Sequence, residues 1–139
     1  MRIEKFVSKT GQAACGAQLL YSNLSDFRFL TQALSQSDQI SDLLVDNDLC
    51  SFNLKGLGPV AIRIVTREPY KLVKFSHVDK KPLEFYVWFQ FVEVNPRDTR
   101  IRITLQAAIP LLLRPVLGKR IQKGLDQVVD QLAQLFSRF

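Results

Sequence analysis

The alternating pattern before Pro110 and the helical spacing after it restrict the fold more than any other feature of this chain. Residues 100–109 place an apolar side chain at every second position: Ile101, Ile103, Leu105 and Ala107. A strand of this kind buries one face and exposes the other. After Pro110, apolar residues recur every three or four positions: Leu117, Ile121, Leu125, Val128, Leu132 and Leu135. The C-terminal part therefore predicts a strand and then a helix long enough to lie across a whole sheet face.

The chain between residues 39 and 109 alternates throughout, and its turn residues recur at intervals typical of a meander of antiparallel strands. With an N-terminal segment, this pattern predicts seven strands, at 3–8, 40–45, 49–54, 60–67, 70–78, 83–94 and 100–109. Helical spacing predicts two short helices after the first strand, at 13–24 and 26–34. No linker or repeat interrupts residues 1–139, which are therefore predicted to form a single α+β domain with a curved sheet.

Alternation also divides the basic residues from the apolar ones. It places five basic side chains on the outer face of the sheet: Arg63, Arg67, Lys74, Arg100 and Arg102. The formal net charge is +6, but the basic residues are dispersed along the chain, which favours a solvated basic face. No specific nucleic-acid partner is predicted, because only Tyr86 and Trp88 could stack on bases there.

Several kinds of segment and site are missing from the sequence. The first residues alternate and do not resemble a secretory signal, so we expect a cytoplasmic protein. The longest apolar run, 107–113, is well short of the roughly 20 residues that span a bilayer. Cys15, Cys50 and the single His77 do not have metal-ligand spacing, so we expect two free thiols and neither a metal nor a cofactor.

The order of predicted elements resembles the helix-grip fold of the SRPBCC (START-like) superfamily, in which the long C-terminal helix lies across the concave face of the sheet. Local sequence adds to this resemblance. The segments GPVAIRIVTREP at 58–69, VWFQF at 87–91 and QKGL at 122–125 look like small uncharacterised SRPBCC proteins of Bacteroidetes-type bacteria. In this superfamily the sheet and the terminal helix enclose a cavity for apolar molecules.

The resemblance implies such a cavity here, lined by the side chains that alternation places inward. These are Ile62, Ile64, Phe75, His77, Phe85, Phe89, Phe91, Ile103 and Leu105 from the sheet and Leu117, Ile121 and Leu125 from the helix. The leading hypothesis is a protein that binds a small apolar ligand, such as a lipid, a quinone or a polyketide-like molecule. The alternative for the same residues is a filled core.

If the core is filled, the surface would carry the function. Tyr86 and Trp88 on the outer face would then form a partner or homodimer contact. A further hypothesis is peripheral contact with an anionic membrane through residues 111–114, Lys119 and Arg120. These combine apolar anchors with basic groups, as a membrane interface requires.

An enzyme related to polyketide cyclases is the least supported hypothesis. Its reaction would need an acid or a base in the cavity, and His77 is the one inward group suited to proton transfer at neutral pH. Ser76 precedes His77, but adjacent strand residues point to opposite faces and cannot form a Ser–His pair. Glu93 lies at a strand exit, where a solvated carboxylate is expected. No catalytic residue is therefore predicted.

Overall fold

Antiparallel strands pair into one curved sheet that holds a long helix on its concave side. A computed structural model describes residues 2–35, 38–46, 48–79 and 83–137. Its elements are β1 (Arg2–Val7), β2 (Gly11–Ala13), α1 (Ala17–Leu24), α2 (Phe27–Ser35), β3 (Ile40–Val45), β4 (Leu49–Leu54), β5 (Gly58–Glu68), β6 (Leu72–His77), β7 (Phe85–Asn95), β8 (Asp98–Ile109) and α3 (Arg114–Leu135). The strands lie in the order β1-β8-β7-β6-β5-β4-β3, and β2 also pairs with β8. The predicted α+β helix-grip architecture is confirmed.

The short strand β2 is an addition to the seven predicted strands. The sequence predicted a helix from residue 13, but β2 continues along β8 and helix α1 begins only at Ala17. Ser8 keeps the chain on β8, because its N–H donates to the Ile103 carbonyl at 2.8 Å and its hydroxyl accepts from the Ile103 N–H at 2.9 Å. A Cβ atom at Gly11 would overlap the Val129 side chain of α3. Glycine therefore permits the close approach of β2 and α3.

Cross-strand pairing collects the inward side chains of the sheet into rows. One row runs through Ile64, Phe75, Val87, Leu105 and Phe6. The Phe75 ring lies 5.3 Å from the Phe89 ring and 5.5 Å from the ring of Phe27, the first residue of α2. Alternation thus predicted the inward face of the central strands correctly, and aromatic contacts join that face to α2.

A β-bulge in β5 corrects the prediction for Arg67. The register between β5 and β6 shifts between Ile64 and Thr66. An extra residue in one strand reverses the faces beyond it, so Arg67 pairs with the fully buried Val73 and leaves the outer face. Its guanidinium donates to the Asp48 carboxylate at 2.7 Å. This arginine consequently links β5 to the turn between β3 and β4 and is not part of the basic outer face.

Helix α3 packs over the part of the sheet formed by β1, β2 and β8. Its buried residues are Leu117, Leu125, Val129 and Leu132, with Ile121 and Val128 half-buried. The prediction is wrong at Leu135, which is 41% exposed, because Phe136 takes the inward position beside it. Pro115 stands in the first turn, where a missing N–H costs no helical hydrogen bond. Phe139, whose spacing from Leu132 and Phe136 also predicts a place on the apolar stripe, lies outside the described residues.

Removing side chains from the buried stripe of α3 should measure how strongly the helix is held. We expect Leu125→Ala and Leu132→Ala each to lower the free energy of unfolding by about 2 to 5 kcal/mol, because each leaves a cavity in the core. Gln127→Ala is the control, since Gln127 is exposed on the same helix. Urea denaturation measures all three variants, and equal small losses would contradict this packing of α3.

Candidate apolar ligand site

Two adjoining hydrophobic clusters contain the eleven apolar members of the twelve predicted cavity residues. The first, called here the deep cluster, is built around fully buried side chains of α1, the start of α2 and the end of α3, among them Leu20, Leu24, Phe27, Val129 and Leu132. Six predicted residues are buried in it: Ile64, Phe75, Phe89, Phe91, Ile103 and Leu125. The second, called here the end cluster, consists of Leu83, Ala107, Ile109 and Leu117. The deep part of the predicted cavity is therefore filled by side chains.

Side chains where the two clusters meet are only half-buried. Phe6, Leu105 and Ile121 pack against both clusters, and we call these three the middle band. Ile62 packs beside the deep cluster and Phe85 beside the end cluster, and both are also half-buried. Four predicted cavity residues thus present apolar surface that the protein covers incompletely: Ile62, Phe85, Leu105 and Ile121.

A cleft of about 620 Å³ opens at the edge of the sheet beside the end cluster. It is lined by residues 38–41 and 53–58, and its apolar wall consists of Ile40, Leu54 and Leu57. Leu57 also packs against the end cluster, so the cleft and the apolar interior share a side chain. The volume lies within the range of roughly 300 to 1,000 Å³ usual for small-molecule sites. None of the twelve predicted residues lines this cleft, since the sequence indicated only a strand end and a turn there.

Arg120 extends from α3 to the rim of the cleft. Its Nη2 donates to the Lys55 carbonyl at 2.6 Å and to Gln39 Oε1 at 3.2 Å. Both acceptors are uncharged, and none of the ion pairs found among the described residues includes Arg120. The guanidinium therefore connects the helix to the sheet edge and leaves a positive charge beside the cleft.

Gly124 leaves room on the same side of α3. It follows Arg120 by four residues, a spacing that places two positions on one side of a helix. A Cβ atom built at Gly124 would meet no other atom within 4 Å, although the residue is half-buried. Helix α3 therefore does not fill the space beside it on the side that faces the cleft.

The imidazole of His77, which alternation predicts to point inward, is also held by the backbone. Its Nδ1 lies 3.0 Å from both the N and the O of Phe85. The backbone pairing of β6 with β7 ends at Ser76 and Tyr86. The contact of the imidazole with the Phe85 backbone is the next one along the two strands. The ring packs edge-on against Tyr86 with centroids 5.5 Å apart. His77 thus stabilises the end of the sheet, which its strand pattern alone could not show.

The two cysteines are buried free thiols, as predicted. Burial raises the pKa of both thiols, and that of Cys50 to about 11. Both are therefore protonated and weakly nucleophilic at neutral pH. Within the described ranges, no group of three or more His, Cys, Asp or Glu residues is arranged to hold a metal ion.

Glu93 is exposed, as expected of a solvated carboxylate, and it also has a structural partner. Its Oε1 accepts a hydrogen bond from the Ala17 N–H at 2.9 Å, at the first residue of α1. A carboxylate at this position satisfies a free amide and complements the positive end of the helix dipole. The side chain therefore fixes the start of α1 and does not face the cleft.

The aromatic pair on the outer face is partly covered by a cation. The Lys74 ammonium lies 4.7 Å from the centre of the Tyr86 ring and 5.0 Å from that of Trp88. A groove of about 260 Å³ beside Trp88 is lined also by Lys5 and Arg102. A partner that covers this face would therefore meet Lys5, Lys74 and Arg102 as well as the aromatic pair.

Comparisons with known proteins identify the fold. No family model matches the sequence, and no curated protein matches it significantly. Norcoclaurine synthase from Thalictrum flavum, solved as a point mutant with a transition-state analogue, superposes with a TM-score of 0.74 at 10% identity, covering 97% of this chain and 94% of that one. The Aha1 dimer from Colwellia psychrerythraea gives 0.70 at 15% identity, with 97% of each chain covered. A START superfamily protein from Mycobacterium smegmatis gives 0.64 at 15% identity, covering 94% and 98%.

Alkaline unfolding should reveal the buried Cys50 thiol. Its pKa is about 11 in the folded protein, where burial raises it from the ordinary value of 9.0. At pH values below 9.0, the ordinary pKa, the thiol is protonated in both the folded and the unfolded protein. As pH rises through this interval the unfolded chain loses the proton first, so folding stability should fall, by about 2 to 3 kcal/mol in total.

The variant Cys50→Ala isolates this contribution, because Cys15 and the other titrating groups remain in both proteins. Urea denaturation at a series of alkaline pH values should show a steeper loss of stability in the natural protein than in the variant. Parallel pH profiles for the two proteins would contradict the assigned pKa.

Proposed function

We propose that the chain is a START-like protein that binds a small apolar molecule between the sheet and the N-terminal half of α3. The observation that carries the proposal is a cleft of about 620 Å³ next to apolar side chains that the protein only half-covers. The ligand would be lipid-, quinone- or polyketide-like, because the middle band and the apolar wall of the cleft would offer hydrocarbon to it. The proposed site comprises the middle band, Leu57 and the space beside Gly124.

The hydrophobic effect would supply the binding energy. Covering apolar surface contributes roughly 25 cal/mol for each Å² removed from water. Leu57 contacts both the cleft and the end cluster, so a ligand in the cleft could extend its apolar part toward Leu117. The hydrogen bonds of Arg120 to the cleft rim are exposed, so opening them to admit a ligand exchanges protein acceptors for water.

The fold comparisons support a ligand-binding interpretation. Whether this chain also has a catalytic group has to be argued from its own residues. One neighbour of the same fold holds a transition-state analogue. The ionisable side chains that line the cleft here are Asp38 and Lys55, and both are exposed. A general acid or base is usually desolvated and oriented by a partner. We therefore propose a carrier or sensor and not a cyclase.

Filling the space beside Gly124 should test the site. Leucine at this position would extend into the proposed ligand space, so Gly124→Leu should lower the affinity for an apolar fluorescent probe such as N-phenylnaphthylamine by at least about tenfold. Gly124→Ala is the matched control, since its Cβ meets no atom within 4 Å. It should keep probe binding and raise the free energy of unfolding by about 1 kcal/mol, because alanine favours the helix.

Probe fluorescence titration and urea denaturation of the same samples separate blocked binding from misfolding. A second measurement is native mass spectrometry of protein purified from its own host, in which a retained apolar molecule would support the proposal. Equal probe binding by the natural protein and by Gly124→Leu would exclude this location. The absence of saturable binding in both would favour the filled-core alternative.

A further inference from the structure

The turn that leads into α3 exposes an unusual amount of hydrocarbon. Leu111 is 64% exposed, Leu112 94%, Leu113 48% and Val116 68%. We call these four residues the leucine tip. Leu112 makes almost no contact with the rest of the protein, so packing does not explain a leucine there. Contiguous exposed apolar side chains of this kind mark an interaction surface.

The start of α3 also departs from the usual preferences of helix termini. Leu113 occupies the N-cap without a side-chain hydrogen bond, and no acidic residue stands in the first turn. The N-terminal half instead carries four basic residues: Arg114, Lys119, Arg120 and Lys123. The helix dipole disfavours a cation in the first turn, where Arg114 stands, and the other three basic residues lie beyond that turn. Neither capping nor the helix dipole accounts for exposed leucines beside a group of cations, which suggests a role at the surface.

Most of this positive charge is not neutralised within the protein. Arg114 pairs with Glu4 at 2.8 Å. Lys119 and Lys123 are exposed, and neither takes part in an ion pair among the described residues. Within the described part of the chain, Arg120 donates to the uncharged acceptors at the cleft rim. The leucine tip is thus bordered by three cations that are available to an external anionic surface.

The shape and size of the tip favour a membrane over a folded protein partner. A standard protein interface takes roughly 20 to 30 residues from each side. The tip offers four protruding apolar residues and a basic border, a combination that inserts into a lipid interface and attracts anionic head groups. None of the helices in the described part of the chain is long and apolar enough to cross a membrane. The expected contact is therefore peripheral.

We infer that the leucine tip docks the protein onto membranes that contain anionic lipids. The leucines enter the interface, while Lys119 and Lys123 lie against the head groups. This inference stands on exposure and charge alone and does not depend on the proposed ligand site. Docking would nevertheless place the cleft near the lipid, because Arg120 at its rim follows Val116 by one helical turn.

Vesicle co-sedimentation tests the inference on the whole chain. The natural protein should bind vesicles of phosphatidylcholine mixed with phosphatidylglycerol at low salt, and should bind pure phosphatidylcholine vesicles much more weakly. Leu111→Ser combined with Leu112→Ser should reduce binding to mixed vesicles by more than about tenfold. Lys119→Gln combined with Lys123→Gln should reduce it by about fivefold for each charge removed.

Matched controls carry the same substitutions elsewhere on the surface. Leu44→Ser with Val92→Ser changes side chains that are 71% and 66% exposed on strands, and Lys71→Gln with Arg97→Gln removes charges at the opposite end of the sheet. Both controls should bind like the natural protein. If the natural protein does not bind the mixed vesicles, the inference is wrong. That result is expected if the partner of the leucine tip is an acidic protein. Equal losses in tip and control variants would overturn it as well.

Discussion

The packing of α3 against the concave face of the sheet is the interaction on which the rest of the structure depends. At its C-terminal half, Val129, Leu132 and Phe136 are almost completely buried among α1, α2 and β2. The Phe136 carbonyl accepts a hydrogen bond from the Ala14 N–H at 2.9 Å, and the missing Cβ of Gly11 lets the backbone of β2 approach. Removing this half of the helix would expose the deep cluster to water.

The N-terminal half of α3 makes different contacts from the C-terminal half, and the proposed functional surfaces lie beside the N-terminal half. Here the helix meets a half-buried middle band and reaches the sheet edge through the side chain of Arg120. Regions with fewer buried contacts open at lower free energy, and binding elements are commonly drawn from them. The cleft, the open space beside Gly124 and the leucine tip all lie at this half. One end of the helix thus secures the fold, and both proposed contacts, with an apolar ligand and with a membrane, lie at the other end.

Part of the candidate site could be predicted from the sequence, and the physical reason differs from residue to residue. Alternation located Phe75, Phe89 and Ile103 because a strand with one buried face must repeat every two residues. It failed at Arg67, since a bulge reverses the faces beyond it, and it did not show that the imidazole of His77, at a strand end, contacts the Phe85 backbone. The cleft was missed because its walls are a turn and a strand end, whose residues show no period.

The sequence by itself determined the α+β class, the inward rows of the central strands and the apolar stripe of α3, because each depends on the local repeat of a strand or a helix. Only the tertiary structure decided where that apolar surface is sealed and where it is left half-covered. The residues of the proposed site, among them Leu57, Arg120 and Gly124, come from segments far apart in the chain. How near these residues lie to one another in the folded protein depends on how the sheet curves and where α3 crosses it. No local sequence pattern specifies either.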